Sequence, residues 1–217
     1  MAVKIAVLGG WNIPPEAMVP IIDGLGAQCQ CPVSLLSYPG YDGDYSGADA
    51  WQMDALLDRW ASVIDAETLL VGWSLGGMIA IEIASRTPVA GVVTLASNHR
   101  FHGEPPCHMP TAVFRSFSRH VRNNYPEACL TFADLVFSGA GKLQQPLKEA
   151  LLAAYRDFEP NAASINDSLA LLGTLDTAKT RVACPQLRVF AENDGLVPYG
   201  LCSTNTDKPP YRGTDCC

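Results

Sequence analysis

No apolar run in this sequence approaches the roughly 20 residues that a helix needs to cross a bilayer, so a membrane span is not expected. The opening residues, Met1-Ala2-Val3-Lys4-Ile5, lack the basic stretch followed by an apolar one that marks a secretory signal, and a cytoplasmic setting is the expectation. Positive charge is scarce: 15 Lys and Arg stand against 22 Asp and Glu, a net charge of −7 and a pI near 5.0. That balance argues against nucleic acid as a partner. Internal repeats are absent. Cys29-Gln30-Cys31 has no second cysteine pair or histidine nearby, so a zinc site is not expected. Cys29, Cys31, Cys107, Cys129 and Cys184 read as small buried side chains or free thiols in a reducing compartment, while Cys202, Cys216 and Cys217 crowd the last 16 residues.

What is present is a folding composition. Of 217 residues, 48% are hydrophobic and 17% charged, enough to bury one core with room for an insertion. Short, nearly continuous apolar runs at residues 4–8, 33–37, 68–71, 89–96 and 186–191 read as strands. Helical periodicity lies between them. Residues 15–26 begin on Pro15 and end on a glycine, with Met18, Ile21, Ile22 and Leu25 on one face; residues 50–64 carry Leu56, Leu57, Trp60 and Ile64; residues 78–85 form a small-residue helix. Apolar strands alternating with helices predict a mostly parallel sheet covered on both faces.

Between residues 98 and 176 strands disappear and helical stretches are expected near 111–124, 127–137, 146–158 and 162–172. This block holds seven basic and seven acidic side chains, so the remainder of the chain carries the whole net charge of −7. It reads as an inserted helical cap. The expected organisation is a core at 1–98, a cap at 99–175, the last part of the core at 176–198 and an atypical polar tail at 199–217.

The chemistry concentrates at Gly72-Trp73-Ser74-Leu75-Gly76, which fits G-x-S-x-G. In that motif a serine sits on a strained turn between strand and helix, and side chains two residues either side would collide with neighbouring backbone. A serine hydroxyl is a weak nucleophile until a base takes its proton. The oxyanion that develops needs backbone donors, here the N–H of Leu75 and that of Trp11 in the turn after the first strand. The Trp11 indole could also floor an acyl pocket. Asp194, in Asn193-Asp194-Gly195-Leu196-Val197-Pro198, ends the last strand where a carboxylate would orient an imidazole; the alternative is a turn aspartate before glycine.

These segments, with Leu8-Gly9-Gly10-Trp11, Tyr38-Pro39-Gly40-Tyr41 and Val93-Thr94-Leu95-Ala96-Ser97, resemble the α/β-hydrolase superfamily, and within it the pimeloyl-[acyl-carrier-protein] methyl ester esterases of biotin synthesis. The resemblance implies a serine carboxylesterase with Ser74 as nucleophile, Asp194 as acid, Trp11 and Leu75 as the oxyanion hole and Phe132 against the acyl chain. It implies no metal or cofactor. The substrate it implies is a methyl ester on an acyl chain tethered to an acidic carrier protein.

The sequence departs from that pattern in three places. Gly9 stands where the family usually has histidine. The basic cap positions fall on Glu127, Thr131, Gln144 and Lys148, of which one is basic, although Arg115, Arg119 and Arg122 share a helix face and could dock the carrier. The four histidines, His99, His102, His108 and His120, all precede Asp194, whereas the family's base follows the acid. Residues 199–217 are polar and helix-breaking, so the closing strand and helix are expected to be missing and activity impaired. His99 follows the run at 89–96, next to the strand that carries Ser74, and could serve as a substitute base at the same end of the sheet. A general short-acyl carboxylesterase and a truncated, non-catalytic relative are the alternatives.

Overall fold

The computed structural model describes residues 3–104 and 108–197. Pro198, the tail at 199–217 and Cys107, Cys202, Cys216 and Cys217 lie outside the described residues. Five strands form one sheet: β1 (Lys4–Leu8), β2 (Val33–Leu35), β3 (Thr68–Trp73), β4 (Gly91–Leu95) and β7 (Gln186–Val189). Two further strands, β5 (His102–Gly103) and β6 (Met109–Pro110), pair with each other in a ladder that the apolar pattern does not announce. Each is two residues long, too short for a period to register.

The sheet order is β2-β1-β3-β4-β7, and every pairing in it is parallel. The chain leaves β1 toward one edge and returns past it to β3. Right-handed crossovers therefore put the helix after β1 on the face opposite the helices that flank β3. These are α1 (Pro15–Cys29) on one side, and α2 (Met53–Trp60) and α3 (Leu75–Arg86), which touch each other, on the other. Leu8, Leu70, Ile79, Ile83 and Val92 have almost no exposed surface and form the centre of the core. The reversal of direction opens a crevice at the carboxyl ends of β1 and β3, where open parallel sheets bind ligands.

Two helix ends differ from the sequence pattern. Helix α1 runs through Gly26 to Cys29 and is closed by Gln30 at φ 51°, whose N–H returns to the Gly26 carbonyl. The left-handed closing residue is thus not the glycine. The periodic stretch at 50–64 divides into a 3₁₀ turn at Ala48–Trp51 and α2, because Gln52 is extended. Ile64 lies past the helix end yet stays buried.

Between β4 and β7 come α4 (Thr111–Asn123), α5 (Tyr125–Val136), α6 (Gln144–Tyr155) and α7 (Ala162–Thr174). The two ends of this segment meet. Arg100 and Asp176 form an antiparallel bridge and an ion pair, and the Thr177 N–H donates to the His99 carbonyl across 2.9 Å. Among the four described cysteines Cys129 is buried, Cys31 and Cys184 are half-buried and Cys29 is exposed, so a buried role fits one of them. No described helix is long and apolar enough to cross a membrane.

Candidate active site

Strand β3 delivers Ser74 to the crevice in a backbone conformation that few residues adopt, φ 54° and ψ −118°. Such a conformation costs about 1–3 kcal/mol and persists where the surroundings enforce it. The glycines enforce it. A Cβ on Gly72 would lie 2.3 Å from the Gly76 carbonyl oxygen, and one on Gly76 would lie 2.4 Å from that of Leu8. Backbone therefore touches backbone on both sides of the turn.

The serine is pinned at both its backbone groups. Its N–H donates to the Leu95 carbonyl across 2.9 Å, and its carbonyl accepts from the Ser97 hydroxyl across 2.8 Å. Ser97 is a support that the motif does not reveal. Its signal is indirect: Gly77 must be glycine, because a Cβ there would lie 2.6 Å from the Ser97 Cβ. Leu75 is the first residue of α3, so its N–H has no partner one turn back and sits at the positive end of the helix. The Leu75 side chain is fully buried and makes no part of the pocket wall.

Ser74, Trp11, Phe132 and Asp194 line one open pocket with an empty volume of about 440 Å³, whose remaining wall is mostly apolar and includes Ile13, Phe101, Val136 and Leu172. Trp11 is part of its wall and is almost fully buried. The indole donates to the Ile165 carbonyl across 3.2 Å and meets Phe132 and Phe117 edge-on, with centroids 5.0 and 5.5 Å away. Such edge-on pairs favour fixed ring geometry.

Asp194 reaches the same pocket, but its Oδ1 accepts the backbone N–H groups of Leu196 and Val197, both at 2.8 Å. The carboxylate thus closes its own turn, as an Asx turn does. That turn is wedged against the end of α5: a Cβ on Gly195 would lie 2.4 Å from Ser138 Oγ.

Among the described residues no histidine lines this pocket. His99 Nε2 lies 2.8 Å from Arg188 Nη1, and its Nδ1 lies 3.4 Å from Thr177 Oγ1. Its place after β4 brings the backbone to the carboxyl end of the sheet, while the ring's polar contacts go to Arg188 and Thr177. His102 stacks on Phe114 and binds the Gly173 carbonyl. Burial, with Arg188 next in size, lowers the His99 pKa.

The residue after Trp11 was not singled out by any motif. Asn12 is fully buried at φ 56° and is joined by Tyr41, Tyr125, Tyr155 and Cys129. On the outer surface, Arg115, Arg119 and Arg122 are exposed along α4 and form no ion pair with a described residue. Lys148 is different, since Asp134 already neutralises it.

Comparison with known proteins places this geometry. A family model described as "Alpha/beta hydrolase family" matches residues 8–203. The sequence is 32% identical over 202 residues to the biotin biosynthesis bifunctional protein BioHC of Cellvibrio japonicus, covering 89% of this chain and 39% of that protein. It therefore spans well under half of that bifunctional relative. It is 31% identical to a pimeloyl-[acyl-carrier protein] methyl ester esterase of Sodalis glossinidius, covering 89% of this chain and 76% of the relative. In fold it is similar to a bromoperoxidase from Bacillus anthracis, with a TM-score of 0.73 at 15% identity, covering 92% of this chain and 77% of that one.

Proposed function

This chain belongs to the alpha/beta hydrolase family, and from that premise we propose that it is built as a serine carboxylesterase for the methyl ester of an acyl chain borne by an acyl carrier protein, the pimeloyl ester named in relatives such as the Sodalis glossinidius esterase being the leading substrate. The observation that carries the reading is the strained backbone of Ser74, held by its glycines at the mouth of an apolar pocket.

In this reading Ser74 Oγ attacks the ester carbonyl. The carbonyl oxygen becomes an oxyanion facing the N–H groups of Trp11 and Leu75, which are worth most in a dry site. The C–OCH₃ bond breaks, the leaving oxygen takes a proton, and methanol departs. Water then adds to the acyl-enzyme, the ester bond to Ser74 breaks, and the free acid leaves while the serine regains its proton. Phe132 and Trp11 hold the acyl chain, and Asp194 is the acid of the triad. No step uses a metal or cofactor.

The proton from Ser74 needs a base. These 217 residues hold no histidine after Asp194, and none of the described histidines stands at the pocket, so among the described residues Ser74 has no imidazole base beside it. Loss of one triad member leaves about 10³–10⁴-fold acceleration over water in hydrolases of this chemistry. Residues 99–175 act as the cap, a division supported by the pairing of its two ends at Arg100 and Asp176.

Arg115, Arg119 and Arg122 are the basic stripe offered to an acidic carrier, in a cytoplasmic setting. The pairing of Lys148 with Asp134 favours a second reading, a short-acyl carboxylesterase indifferent to the carrier. Turnover of a pimeloyl methyl ester on its carrier protein, set against the same ester free in solution, separates them. Preference for the carrier form, lost in Arg115→Glu/Arg119→Glu/Arg122→Glu, supports docking; equal rates support the second reading. A fluorophosphonate that fails to label Ser74 at any pH would leave a non-catalytic relative.

A further inference from the structure

Asn12 follows the residue whose N–H is read as an oxyanion donor, and its polar groups are matched one by one. Its backbone N–H donates to the Tyr41 hydroxyl across 2.7 Å, and its backbone carbonyl accepts from the Tyr155 hydroxyl across 2.8 Å. Its side-chain Oδ1 accepts from the Tyr125 hydroxyl across 2.6 Å. Nδ2 points to Tyr155 and to the Cys129 sulfur, at 3.3 and 3.5 Å. Tyr125 opens α5 and Tyr155 closes α6, so the turn after β1 is fastened to two helices more than 100 residues away in sequence.

Burial raises the Tyr41, Tyr125 and Tyr155 phenols above their ordinary range, so all three stay protonated, and Tyr125 and Tyr155 keep the protons they donate. A buried network of this kind rigidifies when every member is satisfied. Asparagine also suits the left-handed φ of 56° better than most residues.

We propose that Asn12 is a positioning residue, which ties the Trp11 turn to α5 and α6 so that the placement of those helices sets where the Trp11 N–H points. The same α5 carries Phe132 into the pocket. One element thus adjusts the acyl wall and the oxyanion donor together. The assignment rests on the reading of Trp11 as an oxyanion donor.

Amide hydrogen exchange of the full chain tests it, in Tyr125→Phe, Tyr155→Phe and Asn12→Gly; the glycine removes the amide and tolerates the positive φ. Peptides covering residues 9–14 are expected to exchange roughly five- to tenfold faster in each variant, the scale of one or two lost hydrogen bonds. Peptides covering 70–77, held by the glycine contacts of the serine turn, are expected to keep their rate. Unchanged exchange at 9–14, or equal acceleration of both regions, overturns the proposal. In ester turnover Tyr125→Phe is expected to lower kcat about fivefold with KM unchanged; a lowered affinity with intact kcat also overturns it. An unmodified chain with no turnover would count against the esterase reading alone, and the exchange pattern would still decide the role of Asn12.

Discussion

Arg188 Nη1 donates to His99 Nε2 across 2.8 Å. Arginine cannot accept a hydrogen bond, so Nε2 must carry its lone pair and the ring must be neutral. The interaction spans 89 residues, from the strand that ends the described sheet to the stem of the helical segment. It makes the ring a structural acceptor.

If His99 acts only in this way, His99→Gln will leave Ser74 labelling and ester turnover within twofold of the unmodified chain. A loss of a hundredfold or more, the order of a missing general base, would return His99 to the reaction.

The same contact predicts a pH dependence of stability. Burial and Arg188 lower the folded pKa of His99 below its ordinary 6.5. Below that pH the unfolded chain binds more protons than the folded one, so stability falls as pH drops and is full above it. Melting temperature measured from pH 7.5 to 5.5 is expected to fall more steeply in the unmodified chain than in His99→Gln. Parallel curves would contradict the assignment.

Glycine-to-alanine changes should have opposite signs at two positions. At Gly76 the new Cβ meets the Leu8 and Gly9 carbonyl oxygens at 2.4 and 2.6 Å, and backbone cannot retreat. Gly76→Ala is expected to cost more than about 3 kcal/mol or to prevent folding. Gly24, inside α1 with nothing within 4 Å of the added carbon, should gain about 0.5–1 kcal/mol as alanine. Denaturant unfolding of both variants reads the difference.

The strain at Ser74 should be recoverable as stability. Ser74→Gly tolerates φ 54° and is expected to gain about 1 kcal/mol, a rise of about 3 °C in Tm for a chain of this size, whereas Ser74→Ala keeps the strain and gains little. Both abolish covalent labelling. Equal Tm for the two variants would show that the turn stores no strain.

Phe132 and Leu130 lie two residues apart on α5 with different fates: Phe132 is 9% exposed against Trp11, and Leu130 is 52% exposed. Phe132→Ala is expected to cost about 3 kcal/mol and to widen the acyl pocket, and Leu130→Ala less than about 0.5 kcal/mol. Calorimetry together with KM for esters of increasing chain length checks both effects.

Most of the fold was legible because its signals are local. Apolar runs announced all five strands of the main sheet, and the four helices of the inserted segment were each found within a few residues. The misplaced boundaries have local causes too: at Gln30 and Gln52 ordinary residues adopt the backbone angles that end or interrupt a helix. Of the candidate site residues, Ser74, Trp11, Phe132 and Asp194 do meet at one pocket. Ser97, Asn12 and the tyrosines around Asn12 were missed, since no spacing rule links them.

By itself, then, the order of residues settled the strand, sharp turn and helix around Ser74. The atoms that would collide there belong to neighbours in the chain or to the adjoining strand, and only glycine lets them approach. The tertiary structure alone decided that His99 would face Arg188, that the Asp194 turn would reach the pocket of Ser74, and that Asn12 would gather tyrosines from three segments. Those partnerships depend on how whole elements lie against one another, and a side chain selects its partner from what that arrangement brings within about 3 Å.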